Sequence, residues 1–449
     1  MNEKTEKRTN YRWVITTLIF FITLVNFIDR SAISFVIEPL KKEFGFTDTQ
    51  FGMILSAFGV GYVLLTVVGG WLVDVWGTRV IWPIAAISWS LCVAFLGFAT
   101  GFWGFIVIRF LLGVTEGPHF PAMSSSIRNW LTPNERARAL SFGLVAIPLS
   151  SCIGAPIISY LVANYGWREM FFTVGSIGVL WGVVWYYMFT NSPNDSPRVN
   201  ALEKEYIATS QAEEKAKEDL KKGATVDWRF ILTHPSLIAN NIGYFAFGYM
   251  LFFATLWLPG YFLHQHGLNL KSVGWYLTIQ WLCAAVFMKL GGVISDSLYK
   301  KTGSGRIARA HLIWVSQLLA GICFIMLSYT YTLGMSIFFL SLGLGFGFMS
   351  QPAFFSVNID IAKERAGTAQ GVTSSCLSLA GIIAPVLTGW LIDQTGHYQG
   401  AFMLLAGIMG FAVITVILFH HPDRAWVPSK GGKWTKLFGK GKAPVAVEA

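Results

Sequence analysis

Apolar residues occupy most of this chain in long stretches, and short polar segments separate them. A bilayer core about 30 Å thick requires about 20 apolar residues in helical form. The apolar stretches occupy residues 13–37, 50–73, 79–99, 102–127, 138–163, 168–190, 237–263, 272–297, 309–330, 332–358, 368–392 and 398–419. The pattern therefore predicts an all-α membrane protein with twelve transmembrane helices, called spans 1 to 12 below.

The composition of the 449 residues supports this prediction. Hydrophobic residues make up 54% of the chain, charged residues 13%, and the mean hydropathy is +0.53, which is too apolar for a set of soluble domains. Span 1 follows several basic residues, but it is too long for a signal peptide and lacks a cleavage site, so we expect it to be retained. The five cysteines are scattered among the spans, and we expect neither a metal nor a cofactor.

The basic residues are distributed unequally between the two sides of the membrane. If both termini are cytoplasmic and residues at the ends of the spans are counted with the adjoining loops, the cytoplasmic segments hold 27 of the 34 Lys and Arg residues, the outer loops four and the interiors of the spans three. This asymmetry follows the positive-inside rule and predicts cytoplasmic termini. The basic residues behind the net charge of +10 are therefore expected to lie at the surface of the lipid bilayer. For this reason we expect no nucleic-acid partner.

Two of the spans contain charged residues. Arg109, Gly113 and Glu116 of span 4 follow one another at i, i+4 and i+7, which places them on one helix face. Span 1 contains Asp29 and Arg30, with Asp29 at a depth similar to that of Arg109. A charge at this depth costs about 3 kcal/mol, so it is usually functional. The two acids, each with a nearby arginine, suggest successive stations for a cation; the alternative is two neutralising pairs that hold helices together.

Similar motifs return at nearly one spacing along the chain. Asp74 is followed by Asp296 at an offset of 222, and Ala155-Pro156 by Ala384-Pro385 at an offset of 229. These echoes predict an internal duplication into two six-helix halves related by pseudo-twofold symmetry. We expect a first half at 1–190, a cytoplasmic linker with a surface helix at 191–236, a second half at 237–420 and a basic cytoplasmic tail at 421–449.

The loop from Gly70 to Arg79 and its weaker copy at Gly292 resemble the major facilitator superfamily. More narrowly, five segments resemble its anion:cation symporter family: Ile28-Asp29-Arg30, Arg109 to Glu116 with Phe120-Pro121, Trp130 to Ala137, Leu202 to Ile207, and Thr302 to Ser304 with Ile307 to Arg309. This family includes bacterial sugar-acid and phthalate permeases. One departure is Val75, where the superfamily loop usually has a base, which suggests a weaker cytoplasmic clasp.

The resemblance implies proton-coupled uptake of an organic anion across a bacterial inner membrane. The acids that match Asp29 and Glu116 would be the protonation sites, and the arginines that match Arg30 and Arg109 would bind the substrate carboxylate or pair with those acids. Elementary electrostatics agrees with this. When an anion binds the arginine, the acid loses its partner and binds a proton more readily.

Other polar residues of the spans are weaker candidates for the site. We expect a substrate-binding role for Tyr62, Gln280, Gln351, Asn358, Ser374 and Ser375, although each could instead cap or hold a neighbouring helix. We expect a gating role for Asp74, Arg79, Arg136, Asp296 and Arg365. Lys289 could attract a second anionic group but is expected to extend to the inner interface. His119 could relay a proton but is expected to be a packed, hydrogen-bonded group.

These observations predict a monomeric secondary transporter that imports a small carboxylate with protons by alternating access. Two alternatives stay open, an organic anion/phosphate antiporter and a membrane-bound anion sensor. We do not expect an enzyme, because the sequence has no nucleotide-binding loop, no metal-ligand cluster and no nucleophile with an adjacent base.

Overall fold

The computed structural model describes residues 8–220, 228–330, 332–362, 366–423, 426–428 and 434–436. In this part of the chain the twelve spans are Tyr11–Phe44, Asp48–Trp76, Thr78–Leu96, Gly101–Glu116 with His119–Trp130, Pro133–Tyr165, Trp167–Met188, Pro235–His266, Leu270–Thr302, Arg306–Ser328, Leu333–Met349 with Gln351–Ala362, Ala366–Thr395 and Gln399–Phe419. The predicted all-α fold of twelve spans is confirmed. In the tail, Trp426–Pro428 pairs with Trp434–Lys436 as a short antiparallel ribbon.

Span 4 differs from the others in its local structure. Eleven helices of the described residues are long and apolar enough to cross a membrane, and the two segments of span 4 are not among them. The helix stops at Glu116 and restarts at His119, because Pro118 has no N–H to continue the hydrogen-bond ladder. The break lies directly after the charged face, so Glu116 is at the end of a helical segment.

The duplication is visible in how the helices pack. In the first half, Gly70 of span 2 lies against Pro121 of span 4, and in the second half Gly292 of span 8 lies against Pro352 of span 10. Span 10 is also interrupted, between Met349 and Gln351, at the position that corresponds to the break in span 4. The two halves are therefore repeats of one packing arrangement, as predicted.

The two halves meet on one side of the membrane. We call the face at which span 1 begins and span 12 ends the terminal face, and the opposite one the far face. In the described residues, every hydrogen bond or ion pair that joins the halves lies toward the far face, between spans 2 and 11, 5 and 8, or 1 and 7. The deepest of them involve Ser56 and Thr278, each about 12 Å from the start of its span by the helical rise. In the described residues, the polar contacts between the halves are therefore confined to the side of the far face.

A helix at Ala201–Leu220 and a short one at Trp228–Thr233 lie between the halves in sequence. Glu203, which is fully buried, accepts hydrogen bonds from the Arg12 side chain (2.7 Å) and from the backbone N–H of Tyr11 (3.1 Å). Arg12 also pairs with Glu135 of span 5 at 3.0 Å. These contacts join the linker helix to the first half, while the proposed domain limits stay predictions. Of the residues named above, Arg365 lies outside the described residues.

Candidate functional site

The charged face of span 4 is buried inside the first half. Arg109 is 1% exposed and Glu116 fully buried, and both belong to the buried stripe of their helix. Gly113 lies between them, and a side chain there would overlap the carbonyl oxygen of Phe58 in span 2. The glycine therefore lets spans 2 and 4 approach closely enough to enclose the charges. The prediction that Arg109 and Glu116 share one face is confirmed.

Glu116 pairs with Arg30 across the contact of spans 1 and 4. The Arg30 Nη2 donates to Glu116 Oε2 at 2.6 Å, and the Arg30 side chain is 9% exposed. Nη2 is also 3.4 Å from the side-chain oxygen of Asn26, one helical turn earlier in span 1. Nε of Arg30 has no hydrogen-bond partner among the described residues. Glu116 thus binds Nη2 of the Arg30 guanidinium, and Nε of Arg30 stays available as a donor.

Among the described residues, Arg109 forms no ion pair with a carboxylate. Its Nε and Nη1 have no hydrogen-bond partner in the described part of the chain, although both atoms are buried. Its Cζ lies 5.0 Å from the centre of the Phe58 ring, and the Arg30 Cζ lies 4.6 Å from the same ring. Glu116 is the acid in the electrostatic surroundings of both guanidinium groups. Two guanidinium groups therefore share the Phe58 ring and the single acid Glu116.

Aromatic rings complete the surroundings of Arg30. The rings of Phe27 and Tyr62 lie 4.6 Å and 5.2 Å from its Cζ. Tyr62 stacks on Phe58 at 5.8 Å and is half-buried beside the charged cluster, and its predicted role in substrate binding stays a prediction. Ring faces attract a guanidinium without using its hydrogen-bond donors, so these donors stay free for an anion.

Asp29 occupies a separate position from the neighbouring Arg30. It is fully buried, and neither carboxyl oxygen has a hydrogen-bond partner among the described residues. The indole of Trp89 is adjacent, and Glu116 is the charged group that acts on it most strongly. The structure therefore places the two acids near each other but gives the arginine contact to Glu116 alone.

The candidates of the second half do not hydrogen-bond to the charged cluster in the described residues. Gln280 is fully buried, and both of its amide atoms lack a partner there. Gln351 is half-buried with a partnerless Oε1. Ser374 and Ser375 are exposed, and Ser375 donates to the carbonyl oxygen of Gly371 in its own helix. A direct role of these residues in binding stays a prediction.

Asn358 lies in a buried cluster of uncharged polar groups. Its amide nitrogen donates to Gln370 (2.9 Å) and Thr373 (3.0 Å), and its oxygen accepts from Asn240 (3.2 Å). Thr373 in turn donates to Asn241 at 2.6 Å. These bonds join spans 7, 10 and 11, so in this conformation Asn358 holds helices together.

Three of the described gating candidates hydrogen-bond to residues near them in the fold. Arg79 donates from its backbone N–H to Asn191 at 2.9 Å, and Arg136 donates to the carbonyl oxygen of Arg128 at 3.2 Å. Asp296 accepts from Arg309 at 3.1 Å. Asp74 is exposed at the end of span 2. A gating role for these residues stays a prediction that concerns the conformation closed at the terminal face.

His119 and Lys289 follow the simpler of the two expectations for each. His119 is fully buried, and its Nδ1 accepts a hydrogen bond from the indole of Trp82 at 3.3 Å. Lys289 is exposed. The two residues are thus a packed histidine and an exposed lysine in this structure.

Three neighbours of the charged groups were not predicted as such from the sequence, namely Asn26, Phe58 and Trp89. Asn26 could have been found, because it precedes Arg30 by four residues on the same helix face. Phe58 and Trp89 carry no signal of this kind, since one aromatic residue among the 15% of the chain that is aromatic does not stand out.

The duplication shows why the charges lie in one half. Gly45 and Gly267 end span 1 and its counterpart, span 7, in the left-handed conformation, and their positions differ by the repeat offset of 222. At the same offset, the counterpart of Arg30 in the second half is Phe252. The counterpart of Phe58 is Gln280. The second half therefore has an apolar group at the position of this cation, and the charged cluster belongs to the first half.

The chain resembles known transporters over nearly its whole length. It is 29% identical to the probable sulfoacetate transporter SauU of Cupriavidus necator over 92% of this chain and 95% of the relative. It is 30% identical to the probable galactarate/D-glucarate transporter GudP of Escherichia coli over 92% and 94%. The crystal structure of a D-xylose-proton symporter shares the fold, with a TM-score of 0.71 at 16% identity over 91% and 98% of the chains.

The family model described as Major Facilitator Superfamily matches residues 19–385 and 352–446. The predicted resemblance to the organic-anion transporters of this superfamily is confirmed by the names of its relatives. The duplicated twelve-span fold and these matches together show that the chain belongs to the major facilitator superfamily.

Proposed function

We propose that this protein is a proton-coupled symporter that imports a small organic anion, such as a sugar acid or another carboxylate, by alternating access. The observation that carries the proposal is the buried Arg30–Glu116 pair beside Arg109, whose Nε and Nη1 have no partner among the described residues. A buried guanidinium with unused donors is costly, and a carboxylate can satisfy it with two parallel hydrogen bonds.

Competition for Arg30 would couple the anion to the proton. A substrate carboxylate that binds Arg30 displaces Glu116 from its 2.6 Å contact. Glu116 is fully buried, so a displaced carboxylate without a counter-charge is unstable and takes up a proton. Asp29, also fully buried and without a hydrogen-bonded cation among the described residues, is the second group that could hold a proton.

The number of protons determines the electrical character of transport. One proton per monoanion is electroneutral, whereas two protons carry one positive charge inward and gain about 2.3 kcal/mol per 100 mV of membrane potential. Both acids are in place for the second case. For a ligand of known charge, comparing the voltage response of the parent protein with that of Asp29→Asn tests whether Asp29 carries the second proton.

The relatives support an anionic substrate. SauU is named for sulfoacetate and GudP for galactarate and D-glucarate, all of which are small organic anions. We place the terminal face in the cytoplasm of a bacterial inner membrane, because most basic residues lie on it.

Uptake by purified protein in liposomes tests the proposal. A thermal-shift screen of sugar acids, aromatic acids, short dicarboxylates and phosphate esters first identifies a ligand. Accumulation of that ligand only when the outside is acidic supports symport. Counterflow without a pH gradient would support the antiporter instead, and binding without any flux would support the sensor.

A further inference from the structure

The far face is closed by two seams between the halves, and the first joins spans 2 and 11. A side chain at Gly52 would lie 2.5 Å from the carbonyl oxygen of Pro385, so the two backbones are in close contact there. One helical turn deeper, the Ser56 hydroxyl donates to the carbonyl oxygen of Ile382 at 2.6 Å. The seam thus has a glycine contact and a cross-seam hydrogen bond.

The second seam joins spans 8 and 5 and repeats this design. A side chain at Gly274 would lie 2.8 Å from the Cα of Pro156. One turn deeper, the Thr278 hydroxyl donates to the carbonyl oxygen of Cys152 at 2.9 Å. Gly274 and Thr278 are the repeat counterparts of Gly52 and Ser56 at an offset of 222, and Pro156 and Pro385 are counterparts at 229. The duplication therefore relates the two seams to each other.

The outer ends of the seams differ. Span 2 begins with a capping box, in which Thr47 and Gln50 satisfy each other's backbone N–H groups. The two N–H groups between them, of Asp48 and Thr49, donate to the carboxylate of Asp393 at 2.9 Å and 2.6 Å. The Thr49 hydroxyl also donates to this carboxylate. Asp393 belongs to span 11, so a residue of the second half caps a helix of the first.

The counterpart of Asp393 in the other seam, at the offset of 229, is Asn164. Asn164 accepts one hydrogen bond, from the Lys271 ammonium group at 2.9 Å. The N–H of Ser272 in the first turn of span 8 is capped from within that helix by Asn269. In the first seam, the positive end of span 2 therefore faces an acid of the opposite half, Asp393. In the second seam, the corresponding residue is the neutral Asn164, which binds the Lys271 side chain.

We propose that Asp393 is the latch of the far face, and that its capping of span 2 across the seam sets the balance between the closed and open conformations. This rests on the alternating-access part of the proposed function and not on any substrate. When the face opens, Asp48 and Thr49 lose their acceptors and the carboxylate leaves the positive end of span 2. Asp393 is exposed, so water replaces these bonds in part. By the usual loss for a helix cap, its removal should change the closed-to-open ratio about fivefold.

Distances between spin labels on the far face test the latch without any transport. Labels at Lys42→Cys and Gln399→Cys, exposed positions on opposite halves, would be placed in full-length protein whose five native cysteines are replaced. Asp393→Ala should increase the ratio of the long-distance population to the short one about fivefold. Asp393→Asn, which keeps one acceptor oxygen, should produce a smaller increase. Asn164→Ala, which removes one exposed hydrogen bond across the other seam, is the matched comparison and should shift the distribution much less than Asp393→Ala.

Two results would overturn the latch. One is a distance distribution of both Asp393 variants equal to that of the parent protein, and the other is an equal shift in the Asn164 control. If Asp393→Ala does not fold, Asp393→Asn carries the same test. Because the measurement needs no ligand, failure of the latch leaves the proposed symport standing. Failure of symport would instead appear as absent uptake with a normal label response.

Discussion

Replacing Glu116 by Gln removes one charge and keeps the size of the side chain. In the parent protein a substrate carboxylate has to displace Glu116 from Arg30, where Nη2 and Oε2 are 2.6 Å apart. A hydrogen bond to a charged group contributes about 1.5 to 3 kcal/mol net. Relieving this competition should therefore tighten anion binding by about tenfold to a hundredfold at neutral pH. The same change removes the group that takes up the proton, so accumulation driven by a pH gradient should be lost.

Two measurements on the same variant check this. Binding of the ligand from the thermal-shift screen would be titrated calorimetrically, and accumulation would be followed in liposomes with an acidic exterior. Glu43→Gln is a suitable control, because Glu43 also pairs with an arginine, Arg168, at 2.5 Å, but the side chains of this pair are 38% and 40% exposed and lie away from the cluster. Such surface pairs contribute about 0 to 1 kcal/mol, so the control should behave as the parent protein.

The outcomes separate the possible roles of Glu116. Unchanged accumulation in Glu116→Gln would remove this residue from proton coupling. Complete loss of binding would show that Glu116 supports the anion site and does not compete with the anion for Arg30. Tighter binding together with lost accumulation is the combination that the geometry predicts.

Three further predictions concern other parts of the molecule. Arg109→Ala should abolish the ligand-induced thermal shift, since two buried donors of Arg109 are available to the anion, and a shift that persists would place the anion elsewhere. Arg12→Ala should lower the free energy of unfolding by about 3 to 5 kcal/mol, because it leaves the buried Glu203 without its partner, whereas Arg168→Ala should cost less than about 1 kcal/mol. Burial lowers the pKa of His234 to about 4, and burial together with nearby histidines lowers that of His420 to about 3. The unfolded chain therefore binds more protons, and thermal stability should fall as the pH drops below about 6.5, less so in His234→Gln.

Much of the architecture could be predicted from the order of residues. The lengths of the apolar stretches predicted the twelve spans, since a helix must cross a hydrocarbon core of defined thickness. The spacing of Arg109 and Glu116 predicted their common face, because helical periodicity alone determines it. The two repeat offsets, 222 and 229, predicted the duplication, and the second also relates Asn164 to Asp393, which lie at the outer ends of the two seams.

The pairing of charges could not be predicted in this way. Asp29 and Arg30 are adjacent in sequence, yet only Arg30 contacts Glu116, while Asp29 lies beside Trp89. Successive residues of a helix point about 100° apart, and the rotation of the helix about its own axis decides which one meets a given neighbour. That rotation depends on packing with other helices, such as the close approach that Gly113 permits.

By itself, the sequence determined the number of spans, their repetition and the presence of two acids and two arginines within the membrane. The tertiary structure decided which acid the arginine binds, that Asn358 joins three helices, and that Asp393 reaches across to the other half. The physical reason is that periodicity is a property of one helix, whereas partners are chosen by the distance and rotation between helices, which all the packing contacts set together.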